Sequence, residues 1–206
     1  MNRRELLRDV GVAAAAASPL LAAGESQAQA ARVNVLIAYH SVTGNTEKMA
    51  EGVADGAKAV PNTSVVLKRV GEVTAEDLSS SDGVIVGSPV YFGNMSGEVK
   101  TFFDNWLLKF DFYRDFRMRN KVAGAFATGG AISNGKEITM MAMLEAMLIN
   151  KMIVVSGGGP FGFGASATTG PDSPGVDEKK LAAARELGKR VAEVAATTKR
   201  GLAQAQ

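Results

Sequence analysis

From Arg32 onward, short apolar runs rich in valine, isoleucine and alanine alternate with longer segments whose apolar residues recur at helical spacing. Parallel strands cannot be joined by a tight turn, so a helix must cross between them and bury its apolar face on the sheet. Val33 to Tyr39 reads as the first strand. A helix from about Thr46 to Val60 follows, with Met49, Val53 and Ala57 on one side and Pro61-Asn62 at its end. Ser64 to Val70 and the short buried run Gly83 to Gly87 read as the second and third strands, and Gly97 to Lys109 as a helix. Val122 to Ala127 reads as a fourth strand, Glu137 to Ile149 as a methionine-rich helix, and Met152 to Ser156 as a fifth strand. The glycine- and proline-rich stretch Gly157 to Gly175 reads as a long surface loop, and Asp177 to about Thr197 as a closing amphipathic helix. The pattern predicts an α/β domain over residues 31–200 built on a doubly wound, five-stranded parallel sheet, with residues 201–206 as a disordered tail.

At 206 residues the chain has room for one such domain and a short extension. Basic residues exceed acidic ones by only two, too small an imbalance to point to nucleic acid or an anionic membrane as partner. Cysteine is absent and His40 is the sole histidine, which excludes disulfides, thiolate catalysis and zinc–thiolate or multi-histidine sites. No metal is expected. Residues 1–30 differ from the rest: Arg3-Arg4 precede an alanine-rich apolar run, Val10 to Ala23, and a polar stretch ends in Ala28-Gln29-Ala30. That order reads as an export signal cleaved near Ala30-Ala31. The apolar run is shorter than the roughly 20 residues that span a bilayer, and Ser18-Pro19 interrupts it, so no stable membrane span is expected. The paired arginines resemble the twin-arginine signal, which implies export to the periplasm of a protein already folded around a cofactor.

Ligands of open parallel sheets gather outside the carboxyl ends of the strands. After the first strand comes Ser41-Val42-Thr43-Gly44-Asn45-Thr46, hydroxyls and an amide around one glycine, leading straight into a helix. Unpaired amides and the helix dipole favour an anion there, and the hydroxyls add neutral donors. No lysine precedes Thr46 as a nucleotide-hydrolysing P-loop requires, so ATP or GTP chemistry is disfavoured. The same residues would also serve as an ordinary helix cap in a polar turn. After the third strand, Pro89-Val90-Tyr91-Phe92-Gly93-Asn94 combines a stiff turn, aromatic faces and a glycine, which suits a broad flat ligand or simply caps the core. After the fourth, Ala127-Thr128-Gly129-Gly130-Ala131-Ile132 offers a third close backbone approach.

Tyr39-x-Ser41-x-Thr43-Gly44-Asn45-Thr46, Gly87-Ser88-Pro89 with Phe92-Gly93-Asn94-Met95-Ser96-Gly97, and Thr128-Gly129-Gly130 together resemble the flavodoxin-like, WrbA-like NAD(P)H:quinone oxidoreductases. The likeness runs from Val33 to Ala195, and the Phe-Gly-Asn-Met-Ser-Gly run is its most specific part. It implies a flavodoxin-like sheet of order 2-1-3-4-5, bound FMN, NADH or NADPH as electron donor, a quinone-like acceptor and a homo-oligomer, dimer or tetramer. By the same resemblance Ser41 to Thr46 would hold the FMN phosphate, Val90 to Gly93 would border the ring, and Ala127 to Ile132 would contact the flavin edge. The family's pocket histidine falls on Asn150, and its pocket tryptophan has no single counterpart, leaving Phe110, Phe112 and Tyr113 as candidates for the substrate pocket.

His40 beside the phosphate turn fits a structural role. Lys109, Arg114, Arg117, Arg119 and Lys121 are interrupted by Asp111 and Asp115 and fit a solvated or subunit-contacting face. Met140, Met141, Met143, Met147 and Met152 fit core packing. The rival function is a non-catalytic electron carrier docking on redox proteins. Such carriers are usually strongly acidic, whereas this chain has a net charge of +2 and keeps it without residues 1–30. An exported reductase would need an electron source other than cytoplasmic nicotinamide nucleotides, such as a membrane quinol or a protein donor. An FMN-binding structural protein without turnover is a third reading.

Overall fold

The computed structural model describes residues 32–157, 159, 162 and 164–205, so residues 1–30, where an export signal is expected, lie outside the described residues. In chain order the elements are β1 (Val33–Tyr39), α1 (Asn45–Lys58), β2 (Thr63–Arg69), a 3-10 turn (Val70–Glu72), α2 (Ala75–Ser80), β3 (Gly83–Tyr91) and β4 (Asn94–Met95). There follow α3 (Gly97–Leu108), α4 (Phe112–Asp115), β5 (Val122–Gly129), α5 (Lys136–Ile149), β6 (Ile153–Val154), β7 (Ala165–Thr168) and α6 (Glu178–Gln204).

β1 sets the layering. Val33, Val35, Ile37 and Tyr39 are buried on one face and Leu36 and Ala38 on the other, because successive side chains of a strand alternate. A strand buried on both faces needs helices on both sides. α1 and α6 supply one layer through Met49, Val53, Leu187 and Val191. The opposite core is filled by Leu78 of α2, Phe102, Phe103 and Trp106 of α3, Phe112 of α4, and Met140, Met143 and Met147 of α5. Met152 joins that core, whereas Met141 is exposed.

The long strands are parallel in the order β2-β1-β3-β5-β6, which is the flavodoxin-like order. The fifth position is split. β6 pairs with the first two residues of β5, and β7 pairs with its last four, Phe126↔Ala165 to Gly129↔Thr168. The stretch Gly157 to Gly175 is therefore not all loop. Its strand, Ala-Ser-Ala-Thr, buries only the small side chains of Ala165 and Ala167 and offers almost none of the β-branched signal of a strand.

α6 also runs further than expected, through Gln204, so residues 201–204 are helical and not a disordered tail. Lysine, arginine, leucine, alanine and glutamine all favour the helix, and no proline interrupts the segment. Lys199 anchors these last turns by donating to Asp82 at 2.9 Å and to the Arg32 carbonyl at 2.8 Å. Among the described residues no helix is long and apolar enough to cross a membrane.

α1 and α6 approach backbone to backbone over glycines. A methyl group on Gly188 would lie 1.9 Å from the Val53 carbonyl oxygen, and one on Gly56 1.9 Å from that of Arg185. Alanine favours a helix interior over glycine by ~1 kcal/mol, but overpacking costs about 1–3 kcal/mol and here meets rigid backbone. Gly188→Ala is thus expected to lower the urea midpoint despite its better helix propensity. An unchanged or raised midpoint would show that the two helices part without cost.

Candidate functional site

β1 ends at a turn whose backbone is left open. Gly44 caps α1 in the left-handed conformation, φ 82°, with no side-chain cap. The first inward bond is from the Lys48 amide to the Gly44 carbonyl, 2.9 Å. Among the described residues, no acceptor meets the N–H groups of residues 42–47. Six donors are thus left free at a helix N-terminus, where the dipole favours an anion. The Ser41 hydroxyl is buried there without a partner, a state that ordinarily costs about 1–3 kcal/mol. Thr46 is buried and shares a 2.8 Å hydrogen bond with the Thr128 hydroxyl, tying this turn to the end of β5. Asn45 steadies the exposed Thr43 by donating to its hydroxyl at 3.1 Å.

The second segment is a hairpin. β3 continues through Pro89 and Val90 to Tyr91, and β4 returns antiparallel with Val90↔Met95 and Tyr91↔Asn94. Phe92 and Gly93, φ 49° and 82°, form a two-residue turn of the type that needs two left-handed residues. Phenylalanine is strained there, and its side chain is fully exposed. Ser88 pins the base by accepting from the Ser96 amide at 2.9 Å and donating to the Pro89 carbonyl at 2.8 Å. Tyr91 is half-exposed and meets the half-buried His40 edge-on, ring centroids 6.5 Å apart.

The third segment follows β5. Ala127, Thr128 and Gly129 are buried strand residues, while Gly130, Ala131 and Ile132 are exposed. The buried Lys136 ammonium clamps the loop by donating to the carbonyls of Ala131, 2.7 Å, and Ile132, 3.0 Å. The Asn134 amide accepts from the Gly130 N–H and donates to the Ala131 carbonyl, 3.1 Å each, in the orientation that satisfies both groups. The N–H groups of Ala131 and Ile132 find no acceptor among the described residues. Gly135, φ 93°, sits so close to the hairpin that a Cβ would lie 2.8 Å from the Gly93 carbonyl oxygen.

The three segments form one edge of the sheet, joined by Thr46–Thr128 and by Gly135 against Gly93. Each brings an exposed apolar side chain: Val42, Tyr91 with Phe92, and Ile132. Free amides beside open apolar groups suit a flat ring with a phosphomonoester tail, the chemistry of FMN. The buried, unpartnered Ser41 hydroxyl fits the same group.

The four candidates for the substrate pocket do not converge. Phe112 is fully buried in the core and is not a pocket residue; the short turn of α4 tucks it under Arg117, whose guanidinium lies 5.6 Å from its ring centre. Phe110 packs against the same core, and Tyr113 is exposed beside Phe116. Asn150 alone lines a groove of about 760 Å³ between α3 and α5, with Asn94 at the groove's hairpin end and Leu107, Leu108 and Ile149 on its walls. Asn150 is occupied there as a helix cap, donating to the Ala146 carbonyl at 2.8 Å. Of the basic residues nearby, Arg114 pairs with Asp111 and Arg117 with Asp115 at the surface. Among the described residues no cluster could hold a metal ion.

A cation the sequence reading did not single out stands behind the first turn. Arg69, at the carboxyl end of β2, donates to the Ser41 carbonyl at 2.7 Å and pairs with Glu47 at 2.9 Å. Tyr39 donates to Glu47 at 2.5 Å, and burial first, then the Glu47 carboxylate, pushes its phenol up to about 12. The end of β2 matters because the parallel register sets Arg69 beside Tyr39.

The model of the family described as NADPH-dependent FMN reductase matches residues 31–164. A flavodoxin of Aquifex aeolicus is 39% identical over 164 residues, 77% of this chain and 85% of the relative. An NAD(P)H dehydrogenase (quinone) of Archaeoglobus fulgidus is 36% identical over 189 residues, 78% of this chain and 96% of the relative. The crystal structure of a flavodoxin, WrbA-like protein from Agrobacterium tumefaciens superposes with a TM-score of 0.68 at 26% identity, covering 81% of this chain and 99% of that one.

Two outcomes are expected from this geometry. Thr46→Val, which keeps the shape and removes the bond to Thr128, should lower unfolding stability by about 1–3 kcal/mol because the Thr128 hydroxyl is left buried and unpaired; a loss under ~0.5 kcal/mol would contradict the tie between the segments. The raised Tyr39 pKa favours the neutral phenol in the fold, so its stabilising share is complete below the ordinary value of 10.0 and is lost as pH rises through about 12. In an ultraviolet titration, the phenolate absorbance that Tyr39→Phe removes should therefore appear near pH 12; its appearance near pH 10 would contradict the burial of the phenol and its contact with Glu47.

Proposed function

Because the chain belongs to the NADPH-dependent FMN reductase family and has the flavodoxin-like fold, we propose that it is an FMN-dependent oxidoreductase that reduces a quinone-like acceptor with NADH or NADPH. The single observation that carries this reading is the open turn of residues 42–47 facing the same sheet edge as the exposed Val42, Phe92 and Ile132. FMN, when bound, supplies the site with two-electron redox chemistry that no side chain of this chain provides. The net reaction takes NAD(P)H, a proton and a quinone to NAD(P)+ and a hydroquinone.

The chain's own residues bind and orient. Residues 42–47 would offer main-chain donors, and Ser41 its hydroxyl, to the phosphate, with Gly44 adding no side chain to the approach. The hairpin from Pro89 to Asn94 and the loop from Gly130 to Ile132 would hold the ring, with the exposed Tyr91, Phe92 and Ile132 available to cover it from water. The free amides of Ala131 and Ile132 suit acceptor atoms at the ring edge. The groove that holds Asn150 opens beside Asn94 and offers apolar space for a small acceptor.

Quinone reduction is favoured over electron carriage by the chain's charge, although relatives of both names occur. Self-association is also proposed; the exposed Leu107, Leu108, Ile138, Met141, Leu148 and Ile149 around α3 and α5 are the surface that supports it. Residues 1–30 are proposed as a twin-arginine signal directing the folded flavoprotein to the periplasm.

Anaerobic mixing of the purified flavoprotein with NADH or NADPH is expected to bleach the visible flavin absorbance, and benzoquinone is expected to restore it. Failure of both nucleotides to bleach, with bleaching by a protein donor, would replace the reductase by the electron carrier. Replacing Arg3 and Arg4 together by lysine should hold the precursor inside the cell; unchanged export would contradict the twin-arginine route.

A further inference from the structure

Arg69 divides its guanidinium between two partners. Nη1 donates to the Ser41 carbonyl at 2.7 Å, and Nη2 donates to the Glu47 carboxylate at 2.9 and 3.1 Å. The guanidinium carbon lies 5.4 Å from the centre of the Tyr39 ring, whose hydroxyl donates to Glu47. Tyr39 ends β1, Arg69 ends β2, and Glu47 stands in the first turn of α1. One cation therefore joins the three elements that enclose the open turn.

The Ser41 carbonyl and the Val42 N–H belong to one peptide group. Arg69 holds the carbonyl side, and the N–H side is the first of the six free donors. Peptide resonance couples the two sides, so a cation on the oxygen makes the N–H a stronger donor, and the planar bond transmits the fixed orientation as well. We propose that Arg69 is a positioning residue for phosphate binding: through the Ser41–Val42 peptide it aims and strengthens a main-chain donor without entering the turn. Glu47 offsets most of the charge that Arg69 would otherwise add to the site. The effect is thus local and directional, in contrast to the general attraction of an uncompensated basic residue.

The inference rests on the placement of the FMN phosphate at the 42–47 turn. Its test compares two flavins that differ only in that phosphate. Apoprotein of the wild type, Arg69→Ala and Arg69→Lys is titrated with FMN and with riboflavin, following flavin fluorescence. The wild type should prefer FMN strongly. Arg69→Ala should bind FMN about tenfold or more weakly, the loss typical of a hydrogen bond to a charged group, with riboflavin affinity changed by less than about twofold. Lysine keeps the charge but loses the fork, so Arg69→Lys should lie between the two for FMN and match the wild type for riboflavin; it also carries the test if the alanine variant does not fold. Two results overturn the inference alone: FMN affinity unchanged in both variants, or equal losses for FMN and riboflavin, which would mean general damage to the fold. A wild type that does not distinguish FMN from riboflavin would instead remove the phosphate placement, and the inference with it.

Discussion

The six main-chain donors at the junction of β1 and α1 are the constraint to which the rest of the site answers. A helix that starts without a side-chain cap leaves its first amides to solvent or to a ligand, and a capping serine, threonine or aspartate would stabilise the isolated fold by about 0.5–2 kcal/mol. Gly44 in the left-handed conformation takes that place here and gives up the cap. The turn is held open from outside. β1 is fixed by burial on both faces, α1 by backbone contact with α6 over Gly56 and Gly188, and the first helical turn by the hydroxyl bond from Thr46 to Thr128. Since every anchor lies behind the turn, its donors are arranged before any ligand arrives, and binding need not order them.

The other two segments follow the same rule of local cost supported by neighbouring structure. Phe92 occupies a left-handed position and exposes its whole ring, which is unfavourable on both counts in the isolated chain. Ser88 fixes the base of its hairpin, and the close approach of Gly135 to Gly93 sets its height. Lys136 buries an ammonium against two carbonyls in order to hold the loop after β5. These are constraints on position. None of these groups needs to take or give a proton, which agrees with chemistry carried by a flavin and not by side chains.

Much of this was legible in the sequence. Strands buried on both faces read as continuous apolar runs, so β1, β3 and β5 were accessible; their order came with the family resemblance, and the three candidate segments followed from their positions after those strands. The family resemblance rested on the motifs in those same segments. What escaped had specific causes. α2 is too short to show a helical period, although Thr74 and Asp77 carry its capping box. β7 is built from small residues inside a glycine-rich stretch, and α6 continues past the expected end near Thr197 to Gln204. Phe112 is aromatic and near the expected pocket, but only the three-dimensional path of α4 shows that it points into the core. Arg69 is distant from Ser41 in sequence, and only the β1–β2 register makes them neighbours.

Amide chemical shifts give the most direct view of the central claim. In a 1H–15N spectrum of isotopically labelled apoprotein, addition of FMN should move the N–H resonances of residues 42–47 strongly downfield, the response of donors that gain a charged acceptor, while riboflavin should leave them nearly in place. Unmoved resonances in that turn under saturating FMN, with shifts elsewhere, would contradict the claim that these main-chain groups seat the phosphate.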